Sequence, residues 1–277
     1  MHRLSATGIA IAALLGAEAA AQVSLPSVPG EFYHERRWIQ GDKVTFCIWQ
    51  VSPTMEIDRM IGEELARTLL LDVEFHEYTR TIPLTTDEFW ETVFLQLAET
   101  CDAVMGFTMT TELAADWLVP TRPYYRAPFM LAVTDPAYAS LGDIPHGMPV
   151  GLPLYTEADA RFTEYQALQP QDRRWLRYPM TSGAQLLQFL QTGRIEGAVL
   201  WAPTVTQLVG EDPEAAGIHL VPLDPVPTPS TPIGMMLREY NVFLRNEFDQ
   251  AIAALIADGV IDDLLEQANL PGSAGGD

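Results

Sequence analysis

The chain has 277 residues, 48% of them apolar, and carries 37 acidic against 16 basic side chains for a net charge of −21. Such a surplus of negative charge repels phosphates and excludes nucleic acid as a partner. The apolar content is ample for the packed core of one large domain or of two lobes of ordinary size.

The first residues predict an export signal over 1–21. His2 and Arg3 precede an apolar run from Gly8 to Leu15, and Ala19-Ala20-Ala21 offers a small-residue cleavage site. An apolar run of about 10 residues is too short to span a membrane, which takes roughly 20. The remainder is therefore expected in the periplasm, exported and not membrane-spanning. Residues 22–40 read as an extended lead-in. Val44 to Trp49 reads as a strand, and Ser52 or Thr54 as the cap of a helix whose apolar face is Met55, Ile57, Met60, Ile61, Leu65 and Leu69. A strand from Leu70 to Tyr78 and a helix capped by Thr85 or Thr86 follow. Next come a strand from Cys101 to Phe107 and a Thr-rich turn in which Thr111 caps a short helix to Trp117. A Pro- and Tyr-rich corner, Pro120 to Tyr125, leads into a strand from Phe129 to Val133.

The pattern then restarts. Val150 to Leu154, Trp175 to Tyr178 and Gly197 to Trp201 read as strands, with helices opened by Thr156 and Ser182 between them. Ile218 to Leu223, a proline-rich crossing, Ile233 to Leu237 and two helices split at Gly259 close the sequence. Two strand–helix units joined by crossings near 130–134 and 224–233 predict an α/β protein of two hinged lobes, each a mostly parallel sheet flanked by helices. Lobe 1 is expected to take residues 41–131 with 233–271, lobe 2 residues 132–232, and 272–277 to form a disordered tail.

An oxidising compartment makes a bridge between Cys47 and Cys101 the default. Against it stands the offset of the two cysteines along parallel strands, which would carry their Cα atoms beyond about 7 Å. Both readings stand at this point. Strand ends in open α/β sheets carry ligands, which nominates Trp49, Gln50, Phe107, Thr108, Met109, Tyr155, Thr156, Trp201 and Thr204 as cleft residues. That set is aromatic with a few hydroxyls, suited to stacking a planar ligand or gripping a partner's side chain. The competing reading has Phe107 and Trp201 as core. No Gly-x-Ser-x-Gly elbow, phosphate loop or His-Glu-x-x-His motif is present. Glu74, His76 and Glu77 read as an exposed strand end, so neither catalysis, a metal nor a cofactor is expected.

The runs DAVMGFTMTTE (102–112), GRIEGAVLW (193–201) and the C-terminal FDQAIAALIADGVIDDLLEQANLP resemble the type II periplasmic solute-binding proteins of family 3, over most of the chain after the signal. That resemblance implies the two-lobed fold and capture of a solute in the cleft. It also implies an Arg three residues after the turn Thr and an acidic residue after the GRIEGAVL strand, for an amino acid's carboxylate and ammonium. Here those positions are Ala114 and Trp201, so an α-amino acid would lack both ion pairs. CDAVMG, TRPYYR and AVLWAP are further similar to the solute-binding-like proteins of the MoxJ/XoxJ type, associated with PQQ-dependent methanol and alcohol dehydrogenases. This implies an accessory or maturation partner of a periplasmic quinoprotein dehydrogenase or cytochrome c. The alternative is the receptor of an ABC permease for a small non-amino-acid solute. A hydrolase on the same scaffold is a weaker third reading.

Overall fold

The computed structural model describes residues 42–79, 87–109, 116–210, 212–227 and 230–276. The signal, the lead-in, Thr85, Thr86, Thr111 and Ala114 lie outside the described residues.

Two sheets organise the chain. The first takes β1 (Lys43–Trp49), β2 (Asp72–Tyr78), β3 (Ala103–Thr108), β4 (Leu118–Pro120), β5 (Tyr125–Ala127), β11 (Thr231–Arg238) and β12 (Ser273–Ala274). Its order is β12-β5-β11-β3-β1-β2, with β4 also on β11. The second takes β6 (Phe129–Val133), β7 (Pro149–Pro153), β8 (Leu176–Met180), β9 (Gly197–Trp201) and β10 (His219–Val221), in the order β10-β6-β9-β7-β8. β1 runs parallel to β2 and β3, and β7 parallel to β8 and β9. The returning strand β11 is antiparallel to β3, and β6 is antiparallel to β9, so each sheet is mixed. The chain leaves the first sheet at Pro128, slightly before the crossing expected near 130–134, and returns between β10 and β11.

Among the described residues, seven α-helices join these strands: α1 (Met55–Thr68), α2 (Asp87–Leu95), α3 (Glu157–Leu168), α4 (Gly183–Gln191), α5 (Ala202–Val209), α6 (Val242–Ala257) and α7 (Val260–Gln267). Thr156 and Ser182 cap α3 and α4 through their hydroxyls, which accept the Asp159 and Gln185 N–H groups. Gly259 separates α6 from α7 with φ +76°, a left-handed backbone that costs glycine little. α5 was not anticipated. Its eight residues start at Ala202-Pro203, and a proline in the first turn of a helix sacrifices no hydrogen bond.

One face of the first sheet packs on α1, α6 and α7, burying Phe46, Ile57, Ile61, Leu65, Met235 and Phe248. The other face is covered by α2 and holds an aromatic cluster. Trp49 lies edge-on to Tyr78, Phe89 and Phe107, with ring centroids 5.9, 5.5 and 5.3 Å away. Trp90 stacks on Phe107, and Trp117 meets both Trp90 and Phe94 edge-on.

One of two open readings is realised here, and one expectation changes. Cys47 and Cys101 are joined, with Cα atoms 5.6 Å apart. The offset argument assumed that Cys101 lies in the strand. In fact α2 runs on into a π turn, Gln96–Thr100, and β3 begins only at Ala103. Asp102 fastens this entry to β1: its N–H donates to Thr45 O, and its Oδ2 accepts the Thr45 N–H, both at 2.8 Å. The end of the chain is also no disordered tail where it is described. β12 pairs with β5, the Ala274 N–H donates to Asp262 Oδ1 at 2.8 Å, and Arg126 donates to Gly276 O. The disulfide closes a loop of 54 positions. Replacing both cysteines by alanine should lower the free energy of unfolding by about 2–4 kcal/mol, read from urea titrations.

Candidate functional site

The C-terminal ends of β1, β2 and β3 face those of β7, β8 and β9 across the line of the crossing, and the two sides touch where Gln207 Nε2 donates to Val51 O at 3.1 Å. On the first side, Pro53 ends a short turn, Gln50–Pro53, that Ser52 N→Trp49 O (3.0 Å) and Met55 N→Ser52 O (3.1 Å) hold closed. The exposed Gln50 accepts from Thr79 Oγ1 at 2.6 Å and donates to Glu77 Oε2 at 3.4 Å. Glu77 is also paired with Arg59. This rim is polar, and its Arg59 and Glu77 are paired with each other.

Beneath the turn lies a buried carboxylate that the sequence reading passed over. Asp58, on α1, is 1% exposed. Its Oδ1 accepts from Tyr124 Oη at 2.5 Å, its Oδ2 from Thr54 Oγ1 at 2.7 Å, and Thr54 Oγ1 in turn lies 2.9 Å from Ser52 Oγ. The Tyr124 oxygen accepts the Gly106 N–H at 2.9 Å. Gly106 has φ +79°, and a Cβ there would stand 2.6 Å from Asp58 Oδ2, so only glycine lets β3 pass this close. Desolvation pushes the Asp58 carboxyl up to about 7, although the hydrogen bonds from Tyr124 and Thr54 pull the other way. Burial and the nearby Asp58 push the Tyr124 and Tyr125 phenols up as well. The signal was present in the sequence: Asp58 stands three and seven positions before Ile61 and Leu65, on the stripe that α1 buries.

On the second side, Thr156 caps α3 and donates to Pro153 O at 2.7 Å, and Ser182 caps α4. Thr204 lies close to Gly183, where a Cβ would meet its Cγ2 at 3.1 Å. Tyr155 is 90% exposed with φ +66°, an uncommon conformation for a tyrosine and one that lifts the ring off the end of β7.

The nominated residues thus divide. Gln50, Thr108, Met109, Tyr155, Thr156 and Thr204 stand exposed or half-buried at the facing strand ends. Trp49 and Phe107 do not; both are buried in the aromatic cluster under α2, where packing against other rings outweighs exposure to a cleft. Trp201 is half-buried at the crossing. It pairs with Phe129, its indole donates to Ala127 O at 3.3 Å, and it packs on the core of the first sheet. Ser52, Thr79, Ser182 and Gln207 join the candidate set. Thr79 and Gln207 were hidden by their ordinary positions after a strand and on a helix that was not anticipated. Among the described residues no cluster of His, Cys, Asp or Glu suits a metal, and no helix is long and apolar enough to cross a membrane.

Tyr124 and Tyr125, with Arg126, are anchors of the corner. Tyr125 Oη donates to Pro271 O at 2.7 Å, and Arg122 N donates to Asp249 Oδ1 at 2.7 Å.

Solved structures with the same architecture identify the fold. The second substrate binding domain of GlnP from Lactococcus lactis, in its open conformation, superposes with a TM-score of 0.64 at 15% identity, over 83% of this chain and 97% of that one. The second substrate binding domain of a putative amino acid ABC transporter from Streptococcus pneumoniae gives 0.62 at 18% identity, over 82% and 99%. The chain has the type II periplasmic binding protein fold. An ancestral amino acid-binding protein, AncCDT-1, described as a precursor of cyclohexadienyl dehydratase, also aligns, with a TM-score of 0.50 at 19% identity over 82% and 94%. No protein-family profile matches the sequence, and no curated protein matches it either.

Because the folded Asp58 holds its proton to a higher pH than an unfolded aspartate, its contribution to stability is complete below pH ~4 and is lost as pH rises through about 7. Relative to Asp58→Asn, the wild-type protein should lose on the order of 4 kcal/mol of unfolding free energy between pH 4 and pH 8. Parallel urea titrations of the two proteins across that range measure it.

Proposed function

We propose that this chain is a non-catalytic, exported solute-binding protein, the receptor of an ABC importer for a small solute that is not an α-amino acid. The observation that carries this reading is the character of the facing strand ends. They offer hydroxyls and amides from Gln50, Ser52, Thr79, Thr156, Ser182 and Gln207, with one exposed ring at Tyr155, and Arg59 and Glu77 there are already paired with each other. Such walls suit a neutral or singly polar solute held by several hydrogen bonds. The solved structures named above, one from a putative amino acid ABC transporter and one an ancestral amino acid-binding protein, share the fold at under 20% identity, which supports the receptor role and leaves the ligand class to these walls. In the sequence resemblance, the position of the ammonium-holding acid is Trp201. That side chain is engaged at the crossing with Ala127.

A second reading, an accessory partner of a periplasmic quinoprotein dehydrogenase or cytochrome c, is favoured by one specific observation. Two of the runs that carry that resemblance, CDAVMG and TRPYYR, are joined by the Gly106 N–H to Tyr124 bond, and the first contains the bridged Cys101. These contacts are scaffold, so they speak for shared architecture more than for a shared partner. The acidic surface would suit docking on a basic cytochrome.

A thermal-shift screen with sugars, polyols, carboxylates, amides and the twenty amino acids separates these readings when run beside affinity purification from periplasm. The receptor reading expects a clear rise in melting temperature with one non-amino-acid class. Gln50→Ala or Gln207→Ala should then weaken binding roughly five- to tenfold, as loss of one net hydrogen bond would. A rise with an α-amino acid would sink the ligand class. Recovery of a dehydrogenase with no shift by any solute would transfer the protein to the second reading.

A further inference from the structure

Two side-chain hydroxyls link the buried carboxylate to the cleft turn, and that connection has a direction. Tyr124 donates its hydrogen to Asp58 Oδ1 while its own oxygen accepts the Gly106 N–H. The other oxygen, Oδ2, meets Thr54 Oγ1 at 2.7 Å, and between Thr54 Oγ1 and Ser52 Oγ, 2.9 Å apart, either atom can be the donor. A hydroxyl has one hydrogen to give, so the state of Oδ2 decides the whole row. With Asp58 ionised, Thr54 donates inward to Oδ2 and Ser52 donates inward to Thr54. With Asp58 neutral, the proton on Oδ2 is donated to Thr54, Thr54 donates outward to Ser52, and the Ser52 hydrogen is released. The Ser52 oxygen also accepts the Thr54 N–H at 3.2 Å in either state, which keeps the side chain in place while its hydrogen turns.

Ser52 is half-buried, and the neighbouring Val51 carbonyl is the atom that Gln207 reaches from the opposite side. On the receptor reading, the hydrogen released at Ser52 is then available on the side of the turn that faces β7–β9. We propose that Asp58, Thr54 and Ser52 form a proton-controlled relay that turns Ser52 from acceptor to donor toward the cleft, so that a solute presenting an acceptor oxygen there (a carboxylate, carbonyl or ether oxygen) is bound with uptake of one proton. By linkage, affinity for such a solute rises as Asp58 takes its proton, and the solute in turn raises the proton affinity of Asp58.

The surroundings leave Asp58 as the group that titrates. From the corner, Tyr124 and Tyr125 face it, both phenols pushed above their ordinary range. From β3 comes a backbone N–H, at Gly106. On α1 itself Glu56 is exposed, and Arg59 is paired with Glu77 of β2. On β1, Lys43 pairs with Glu74 of β2. Of the helices packed on α1, α6 brings Arg245 and Asp249, which pair with each other, and α7 brings Asp262, which holds the Ala274 N–H. Burial then brings the Asp58 proton into the neutral range, where the relay can switch.

The inference borrows from the proposed function only the position of a solute, and its first test needs none. In protein labelled with 13C at aspartate carboxyls, the Asp58 resonance, assigned by its loss in Asp58→Asn, is followed from pH 4 to 9. We expect a midpoint near neutrality in the wild type. In Ser52→Ala, where the outward row has lost its acceptor, the midpoint should fall by about half a pH unit or more. Circular dichroism checks that this surface variant stays folded. A Ser52→Thr variant, which keeps the hydroxyl, should restore the wild-type midpoint. A carboxyl ionised throughout pH 5–8, or a midpoint indifferent to Ser52→Ala, overturns the relay whatever the protein binds. For an oxygen-bearing solute found in the thermal-shift screen, affinity should fall about tenfold from pH 6 to pH 8 in the wild type and stay flat in Asp58→Asn. Failure of that second measurement alone, with the titration as expected, removes the cleft solute and leaves the relay standing.

Discussion

The hydrogen bond between Tyr124 and the buried Asp58 carboxyl is the contact on which the first lobe's geometry depends. A carboxyl with 1% exposure is tolerated only if its oxygens are satisfied. Its partners come from three distant places: the start of α1, the corner after β4, and, through the phenol, the backbone of β3. The bond therefore fixes the register of three segments at once. Gly106 is the steric half of the same constraint, since any side chain would push β3 away from the carboxyl. Runs of sequence that looked like separate signatures are one physical object.

The two faces of the first sheet serve different ends. Aliphatic packing with α1, α6 and α7 builds the main core, whereas on the face under α2 half of the buried side chains are aromatic. Rings meeting edge to face hold orientation better than aliphatic chains do, and each such pair adds about 0.5–1.5 kcal/mol beyond its buried area. The cluster sits at the same end of the sheet as the cleft turn. Trp49 closes the last residue of β1 against three rings and so delivers Gln50 to the rim from a rigid base. Trp49 and Phe107 thus stiffen the end of the sheet from within, and Gln50 and Thr108 beside them are the more exposed side chains.

Much of the fold was legible in the sequence. Period-two and helical apolar patterns located most strands and helices, and Thr156 and Ser182 cap the helices that their positions predicted. The site was less legible, for identifiable reasons. Periodicity says that Trp49 and Phe107 lie at strand ends, but not which face of the sheet they take, and that face decides between cleft and core. Trp201 was read by its place at the end of β9, whereas its indole donates to the Ala127 carbonyl at the crossing. The cysteine offset failed because a π turn moved the start of β3. Asp58 was passed over because a carboxylate on a helix usually faces water, and only its spacing against Ile61 and Leu65 contradicts that.

The short strand β12 has a consequence for the order in which this molecule can assemble. It pairs with β5 across about 150 positions, and Gly275 N donates to Tyr124 O at 2.8 Å, beside the phenol that holds Asp58. The corner that starts the first crossing is thus completed by residues far later in the chain. Until those residues are in place, the first sheet lacks β12 and the corner around the buried carboxyl is unfinished. Contacts of such long range are slow to form. Closing the sheet that holds β1 therefore waits on a segment far from it in sequence.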